Sequence, residues 1–285
     1  MKNPKRSDDY YSEQYNARAS IPEHPYIFTR WVEQSAQVRR RHAGLFDLMY
    51  GESAGERLDL FPTRVANAPL LVFIHGGWWR SLDKSDFSSL APAYTNAGMN
   101  VAMLNYSLAP EVSIEEIVQQ QLRALAWLYK NAERYEIDAE RIILVGHSVG
   151  AHLAAMLMTA NWSTYDAALP EHLIKAAALL SGVYDLTPLL QTDFVNVDLK
   201  LTEQRILPLS PGLMPLTQAI PFITAVGGLE SAEFKRQTSI LENHWKHQHQ
   251  ASIALPESNH LTVCDALSDP VSALNTAIIE LAKSI

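Results

Sequence analysis

At 285 residues the chain can bury a sizeable core, and one large α/β domain with short additions is the natural expectation. Hydrophobic residues make up 47% and charged residues 19%, as in ordinary globular proteins, and a formal net charge of −8 argues against nucleic acid or an anionic membrane surface as a partner. A single cysteine, Cys264, excludes an internal disulfide and a cysteine-rich metal site, and no stretch reaches the roughly 18 apolar residues of a membrane span. The basic N-terminus lacks the apolar run of a secretory signal, which makes the cytoplasm the expected compartment.

Asp8 to Arg41 is polar and aromatic with helical spacing, broken near Pro22 and Pro25. Residues 1–42 are expected to form a helical extension, either a cap near a site or plain packing, ahead of a catalytic core at 43–285. Leu45–Tyr50 and Arg57–Phe61 predict two antiparallel strands around a Gly51–Gly55 turn. Leu70–Ile74, Val101–Leu104, Ile142–Val145, Ile174–Leu180, Phe222–Val226 and Ser252–Leu255 read as further strands, most of them unbroken apolar runs. Helices are expected over Ser88–Ala97, Ser113–Tyr135, Ala151–Ala160, Ala232–Gln248 and Pro270–Ser284, with short helices bridging Leu186–Leu216. Alternating strands and helices predict a mostly parallel twisted sheet of about eight strands, covered on both faces.

Chemistry concentrates where strand Ile142–Val145 runs into Gly146-His147-Ser148-Val149-Gly150 and a helical stretch follows. G-x-S-x-G between strand and helix places a serine hydroxyl in a strained turn at a helix N-terminus, where free N–H groups favour negative charge. A hydroxyl is a poor nucleophile at neutral pH, so Ser148 needs a base, a group to orient that base, and donors for the oxyanion. His260, in the loop P-E-S-N-H after a late strand, is the expected base; His244, His247 and His249 read as a solvated helical face. The acid is expected at Glu230, on the loop after Phe222–Val226, with Asp185 the main rival and Glu233, Glu257 and Asp265 behind it. Gly76, Gly77 or Trp78, after strand Leu70–Ile74, with Val149, are the expected oxyanion donors. Trp78, Trp79 and Tyr106 are expected to wall an aromatic pocket, with His147 beside the serine. No metal or cofactor is expected; the partners expected are a small-molecule substrate and, as one arrangement, a second copy in a homodimer.

With H-G-G-W-W from His75, G-H-S-V-G from Gly146 and Asn259-His260, the sequence resembles the hormone-sensitive-lipase side of the α/β-hydrolase superfamily, and more narrowly the kynurenine formamidases. Y-N-A-R at Tyr15, R-L-D-L-F-P at Arg57, L-D-K-S-D-F at Leu82, L-N-Y at Leu104, S-G-V-Y-D-L at Ser181 and G-G-L-E-S-A-E-F-K-R-Q at Gly227 extend the match over nearly the whole chain. The resemblance implies an α/β-hydrolase fold, Ser148 as nucleophile, His260 as base and Glu230 in the acid position, where these formamidases more often carry aspartate. It implies a metal-free hydrolase that cleaves a small aryl formamide such as N-formylkynurenine to kynurenine and formate through an acyl-enzyme. A broad carboxylesterase with the same machinery, and a non-catalytic binding protein of this fold, are the alternatives.

Overall fold

A computed structural model describes residues 9–285 of the chain. The basic start, including Asp8, lies outside the described residues. Before the first strand come helices α1 (Tyr10–Tyr15), α2 (Ala17–Ser20) and α3 (His24–Arg41), and a short α4 (Ala91–Thr95) comes later in the chain. The sheet holds β1 (Leu45–Met49), β2 (Arg57–Phe61), β3 (Ala68–Ile74), β4 (Asn100–Leu104), β5 (Ile137–His147), β6 (Ala176–Leu180), β7 (Phe222–Gly227) and β8 (His249–Leu255). Their order is β1-β2-β4-β3-β5-β6-β7-β8; β1–β2 and β2–β4 pair antiparallel and every later pair is parallel. This is the expected mostly parallel α/β-hydrolase sheet.

Strand β3 shows why its sequence is unbroken apolar. Leu70, Val72 and Ile74 join a core with the buried faces of α5 (Ile114–Lys130) and α6 (Val149–Met158), while Leu71 and Phe73 join a second core with Trp31 of α3 and Ile278 of the helix Ala273–Lys283. Side chains alternate across the sheet and both faces are covered, so each position buries about 1.5–3 kcal/mol of transfer free energy.

Several boundaries differ from the sequence reading. The helix expected over Ser113–Tyr135 ends at Lys130: Asn131 Nδ2 donates to the Trp127 carbonyl at 2.8 Å, and Glu136, at φ 55°, turns the chain into an earlier start of β5. Ser88–Ala97 is a 3-10 turn over Lys84–Leu90, opened by an Asp83/Asp86 capping box, followed by a short helix (Ala91–Thr95). His249 opens β8, with Thr224 Oγ1 at 3.2 Å and Phe222 against its ring; it does not lie on the polar helix, which ends at His244.

The glycines of G-x-S-x-G have a packing cause. A Cβ on Gly150 would lie 2.0 Å from the Ile74 carbonyl oxygen, and one on Gly146 would lie 2.4 Å from the Gly150 carbonyl oxygen. Helix α6 therefore crosses β3 and β5 at a distance only glycine permits. Gly150→Ala is expected to destabilise the protein by on the order of 3 kcal/mol, since backbone rather than a flexible side chain must yield. Urea unfolding of the two proteins checks this; an unchanged midpoint and slope contradict it.

Polar contacts dock the N-terminal helices onto the core. Tyr15 Oη donates to Glu233 at 3.2 Å and accepts from Gln237 Nε2 at 2.8 Å. Arg30 pairs with Asp265 at 2.7 Å, Trp31 Nε1 donates to the same carboxylate at 3.3 Å, and Arg39 pairs with the buried Asp59. Asp265, a weak rival for the acid on sequence, is thus engaged with α3.

Candidate active site

Parallel register brings the loops together. Ile74 is level with Gly146 across β3 and β5, which sets the loop after β3 beside Ser148. Gly227 is level with Leu255 across β7 and β8, and Leu229 N–H donates to the Ser258 carbonyl at 3.0 Å, joining the Glu230 loop to the His260 loop. All of these loops leave the carboxyl ends of their strands.

Ser148 has φ 57° and ψ −124°, a backbone that L-residues rarely adopt. Its N–H is tied to the Leu180 carbonyl at 2.8 Å, so neighbouring β6 holds the strained turn in place. The hydroxyl projects toward His260, with 3.0 Å between Oγ and Nε2. On the far side of the ring, Nδ1 is 2.7 Å from Glu230 Oε2. A carboxylate only accepts, so the proton sits on Nδ1 and Nε2 is left to accept from the Ser148 hydroxyl. Phe234 stacks on the imidazole with ring centroids 4.0 Å apart.

Glu230 is buried, and its second oxygen accepts from Ser181 Oγ at 2.5 Å and Gly227 N–H at 2.7 Å. Burial, the largest influence, pushes its pKa up, but the His260 charge and the hydrogen bonds from His260, Ser181 and Gly227 outweigh it and hold the carboxyl below its ordinary value. Asp185 is turned elsewhere. Its Oδ1 accepts from Thr187 N–H at 2.9 Å, a turn cap, and its backbone is held by Gln237. Glu257 is exposed, and Glu233 binds Tyr15 and Arg236. Ser181 escaped the sequence reading; its only signal was its place at the end of β6, one strand from the serine.

The loop His75–Trp79 packs directly on the Ser148 turn. A Cβ on Gly76 would lie 3.0 Å from Ser148 Cβ; Gly77 has φ +109°, and a Cβ there would lie 2.1 Å from the Ser81 carbonyl oxygen. Trp78 and Trp79 follow at φ 55° each. Tyr106 clamps the loop from below: its hydroxyl donates to the His75 carbonyl at 2.9 Å, and its ring stacks on His75 at 4.4 Å. Val149 opens α6, so its N–H has no partner one turn back in the helix.

Around Ser148 lies a cavity of about 40 Å³ walled by Trp78, His147, His260, Gly77, Leu82 and Leu261, and by Ala17, Arg18, Phe28 and Trp31 of the N-terminal helices. Two of the aromatic walls expected from sequence lie elsewhere. Trp79 is fully buried, its ring edge-on to His152 at 4.9 Å and 6.1 Å from that of Trp78. Tyr106 is buried beneath the loop and does not line the cavity. Phe28 and Trp31 take that place; a tertiary approach from 100 or more positions away leaves no local pattern to read. A larger groove of about 640 Å³, lined by Arg41, Phe61, Arg64 and Gly98, lies toward the opposite ends of the strands and contains none of these groups.

His147 and His152 flank the serine as neutral imidazoles. His147 Nε2–H donates to the His260 carbonyl at 2.8 Å, and His152 Nε2–H to the Leu209 carbonyl at 2.8 Å. Burial, with the nearby His260 adding to it, lowers the His147 pKa to about 3; burial lowers that of His152 to about 4, against an ordinary 6.5. The unfolded chain therefore binds more protons through the interval between these values and 6.5. Stability is full above about pH 6.5 and is lost as pH falls toward 4, at up to roughly 1.4 kcal/mol per pH unit for each histidine. Urea midpoints measured across that range should fall on acidification, and His152→Gln should flatten the slope; an identical slope in the variant contradicts the assignment.

The chain matches the BD-FAE family model over residues 58–209. It is 32% identical to kynurenine formamidase from Danio rerio over 96% of this chain and 93% of that protein, and 32% identical to kynurenine formamidase from Drosophila melanogaster over 76% and 75%. The crystal structure of a candidate thioesterase from Silicibacter sp. superposes with a TM-score of 0.82 at 31% identity, over 95% of this chain and 98% of that one. A hydroxyl, imidazole and carboxylate in series, on a parallel α/β sheet with relatives of this kind along nearly its whole length, place the chain in the kynurenine formamidase family of α/β-hydrolases.

Proposed function

We propose that this hydrolase cleaves a small aryl formamide, N-formylkynurenine by preference, with Ser148, His260 and Glu230 as its catalytic residues. The observation that carries the reading is the Ser148–His260–Glu230 series at 3.0 and 2.7 Å beside the glycine loop. Ser148 Oγ attacks the formyl carbon while its proton passes to His260 Nε2; Glu230 stabilises the imidazolium through Nδ1–H. The carbonyl oxygen becomes an oxyanion, which N–H groups of Gly76, Gly77 or Trp78 and of Val149 receive. The C–N bond then breaks as His260 returns the proton to the departing aryl amine. Water, deprotonated by His260, attacks the formyl ester, and formate leaves as the proton returns to Ser148.

The acyl group is the part a small cavity can select. The enclosed space at Ser148 is about 40 Å³, room for a formyl group, which carries no carbon beyond the carbonyl, while the aryl leaving group must extend beyond it. Helices α2 and α3 cover this space through Ala17, Arg18, Phe28 and Trp31, and Trp78 with Phe28 and Trp31 gives it aromatic walls. Across aryl substrates that share one leaving group, kcat/KM is expected to fall steeply from formyl to acetyl to butyryl, by about tenfold or more per step once the acyl chain overfills the space. A butyryl substrate turned over best would sink the formamidase reading in favour of a carboxylesterase. We assign the protein to the cytoplasm on its single buried thiol, Cys264, and read it as acting without nucleic acid or membrane, as a homodimer or alone. Among the described residues no helix is long and apolar enough to cross a membrane.

A further inference from the structure

The Y-N-A-R motif has no part in the chemistry above, yet its last two residues line the cavity that holds Ser148 and His260. Tyr15 is anchored by Gln237 and Glu233, and Asn16 caps α2 by accepting from Ala19 N–H at 3.2 Å, so the segment is held at a defined place on the core. Arg18 is the one charged side chain in a lining otherwise made of apolar groups, glycine, the serine and two histidines. Its Nη2 donates to Ser81 Oγ at 2.9 Å, and its guanidinium carbon lies 5.1 Å over the Phe28 ring. Hydroxyl and ring orient the fork without neutralising it.

Arg30, Arg80, Arg123 and Arg205 each pair with a carboxylate, whereas Arg18, like Arg40, Arg41, Arg57, Arg64 and Arg134, pairs with none among the described residues, and Arg18 is the one of these that lines the Ser148 cavity. Burial first, then the neighbouring positive charge of Arg80, disfavours its cationic form. An anion seated beside it would relieve both.

We infer that Arg18 is a specificity-determining residue that binds the carboxylate of an anionic aryl-formamide substrate at the mouth of the cavity. The inference rests on the formamidase reading, because N-formylkynurenine carries an amino-acid carboxylate on the chain ortho to its formamide, whereas simple aryl esters carry no anion. A planar guanidinium takes a carboxylate in bidentate fashion, and a charge-assisted pair at this exposed position gives up to about fivefold in affinity. The core supplies the reaction centre and the N-terminal helices supply the choice of substrate.

The test uses the full-length protein and calorimetric titration with L-kynurenine and with L-kynurenine carboxamide, which differ only in the anion. The wild type is expected to bind the carboxylate form up to about fivefold more tightly. Arg18→Met should erase that preference and Arg18→Lys retain part of it. Equal affinities in the wild type, absence of binding by either compound, or an unchanged preference in Arg18→Met would overturn the inference. A merely structural Arg18 would weaken both ligands alike. Turnover of N-formylkynurenine, measured separately, keeps the two claims apart: a retained carboxylate preference without formamide cleavage rejects the formamidase reading alone.

Discussion

Ser148→Ala is expected to lower kcat/KM by about 10⁴- to 10⁶-fold while leaving the fold intact. The hydroxyl makes one hydrogen bond, to His260, and the turn is held by backbone: Ser148 N–H to Leu180 and the Ser148 carbonyl to Ala151 N–H at 3.0 Å. Deleting one oxygen therefore removes the nucleophile without opening a sizeable cavity or orphaning a buried donor. Thermal unfolding should be close to that of the wild type. A fluorophosphonate probe should label the wild type at Ser148 and leave the alanine variant unlabelled. Substantial turnover by a folded Ser148→Ala protein would mean that another group attacks the substrate.

Glu230→Gln is expected to lower kcat by about 10³- to 10⁴-fold through a tautomer exchange. Ser181 Oγ–H and Gly227 N–H both donate to Oε1, so an amide at this position keeps its carbonyl oxygen there and turns its NH₂ toward His260 Nδ1. Nδ1 must then accept, and the ring proton moves to Nε2, where it faces the Ser148 hydroxyl and cannot take its proton. Loss of the carboxylate also leaves the imidazolium of the reaction without a counter-charge. Glu230→Asp keeps the charge but shortens the reach by one methylene, and its loss should be smaller. A Gln variant within tenfold of the wild type would show that His260 is oriented by something else, and Asp185 would return as the rival.

Residues on local motifs are legible in the sequence; residues brought in by tertiary docking are not. G-x-S-x-G, H-G-G-W-W and N-H each follow a strand whose apolar run is visible, and the parallel sheet then fixes which loops meet: Ile74 beside Gly146 and Gly227 beside Leu255. Motif context and chain order point to Ser148, to His260 and to Glu230 with Asp185 as its rival, and the structure brings the first three side chains together. The pocket walls were another matter. Trp78 and Trp79 are adjacent, both with left-handed backbone, yet only Trp78 lines the cavity while Trp79 is buried against His152. Tyr106 follows β4 at the right end of the sheet, yet stacking on His75 places it beneath the glycine loop. Arg18, Phe28 and Trp31 reach the cavity from N-terminal helices that Tyr15, Arg30 and Arg39 help to dock on Glu233, Asp265 and Asp59. Those docking pairs span the chain and carry no period. His249 shows the smaller failure: a polar stretch after a helix continues the helical pattern on paper, whereas pairing of β8 with β7 makes it a strand.

The central claim is that this site attacks a formamide in preference to an ester. Its most direct measurement is kcat/KM of the purified wild type for N-formylkynurenine beside a short 4-nitrophenyl ester, with formate and kynurenine quantified as products. The formamide is expected to be the better substrate, by about tenfold or more, with one formate released per kynurenine. Hydrolysis of the ester with N-formylkynurenine left intact would contradict it.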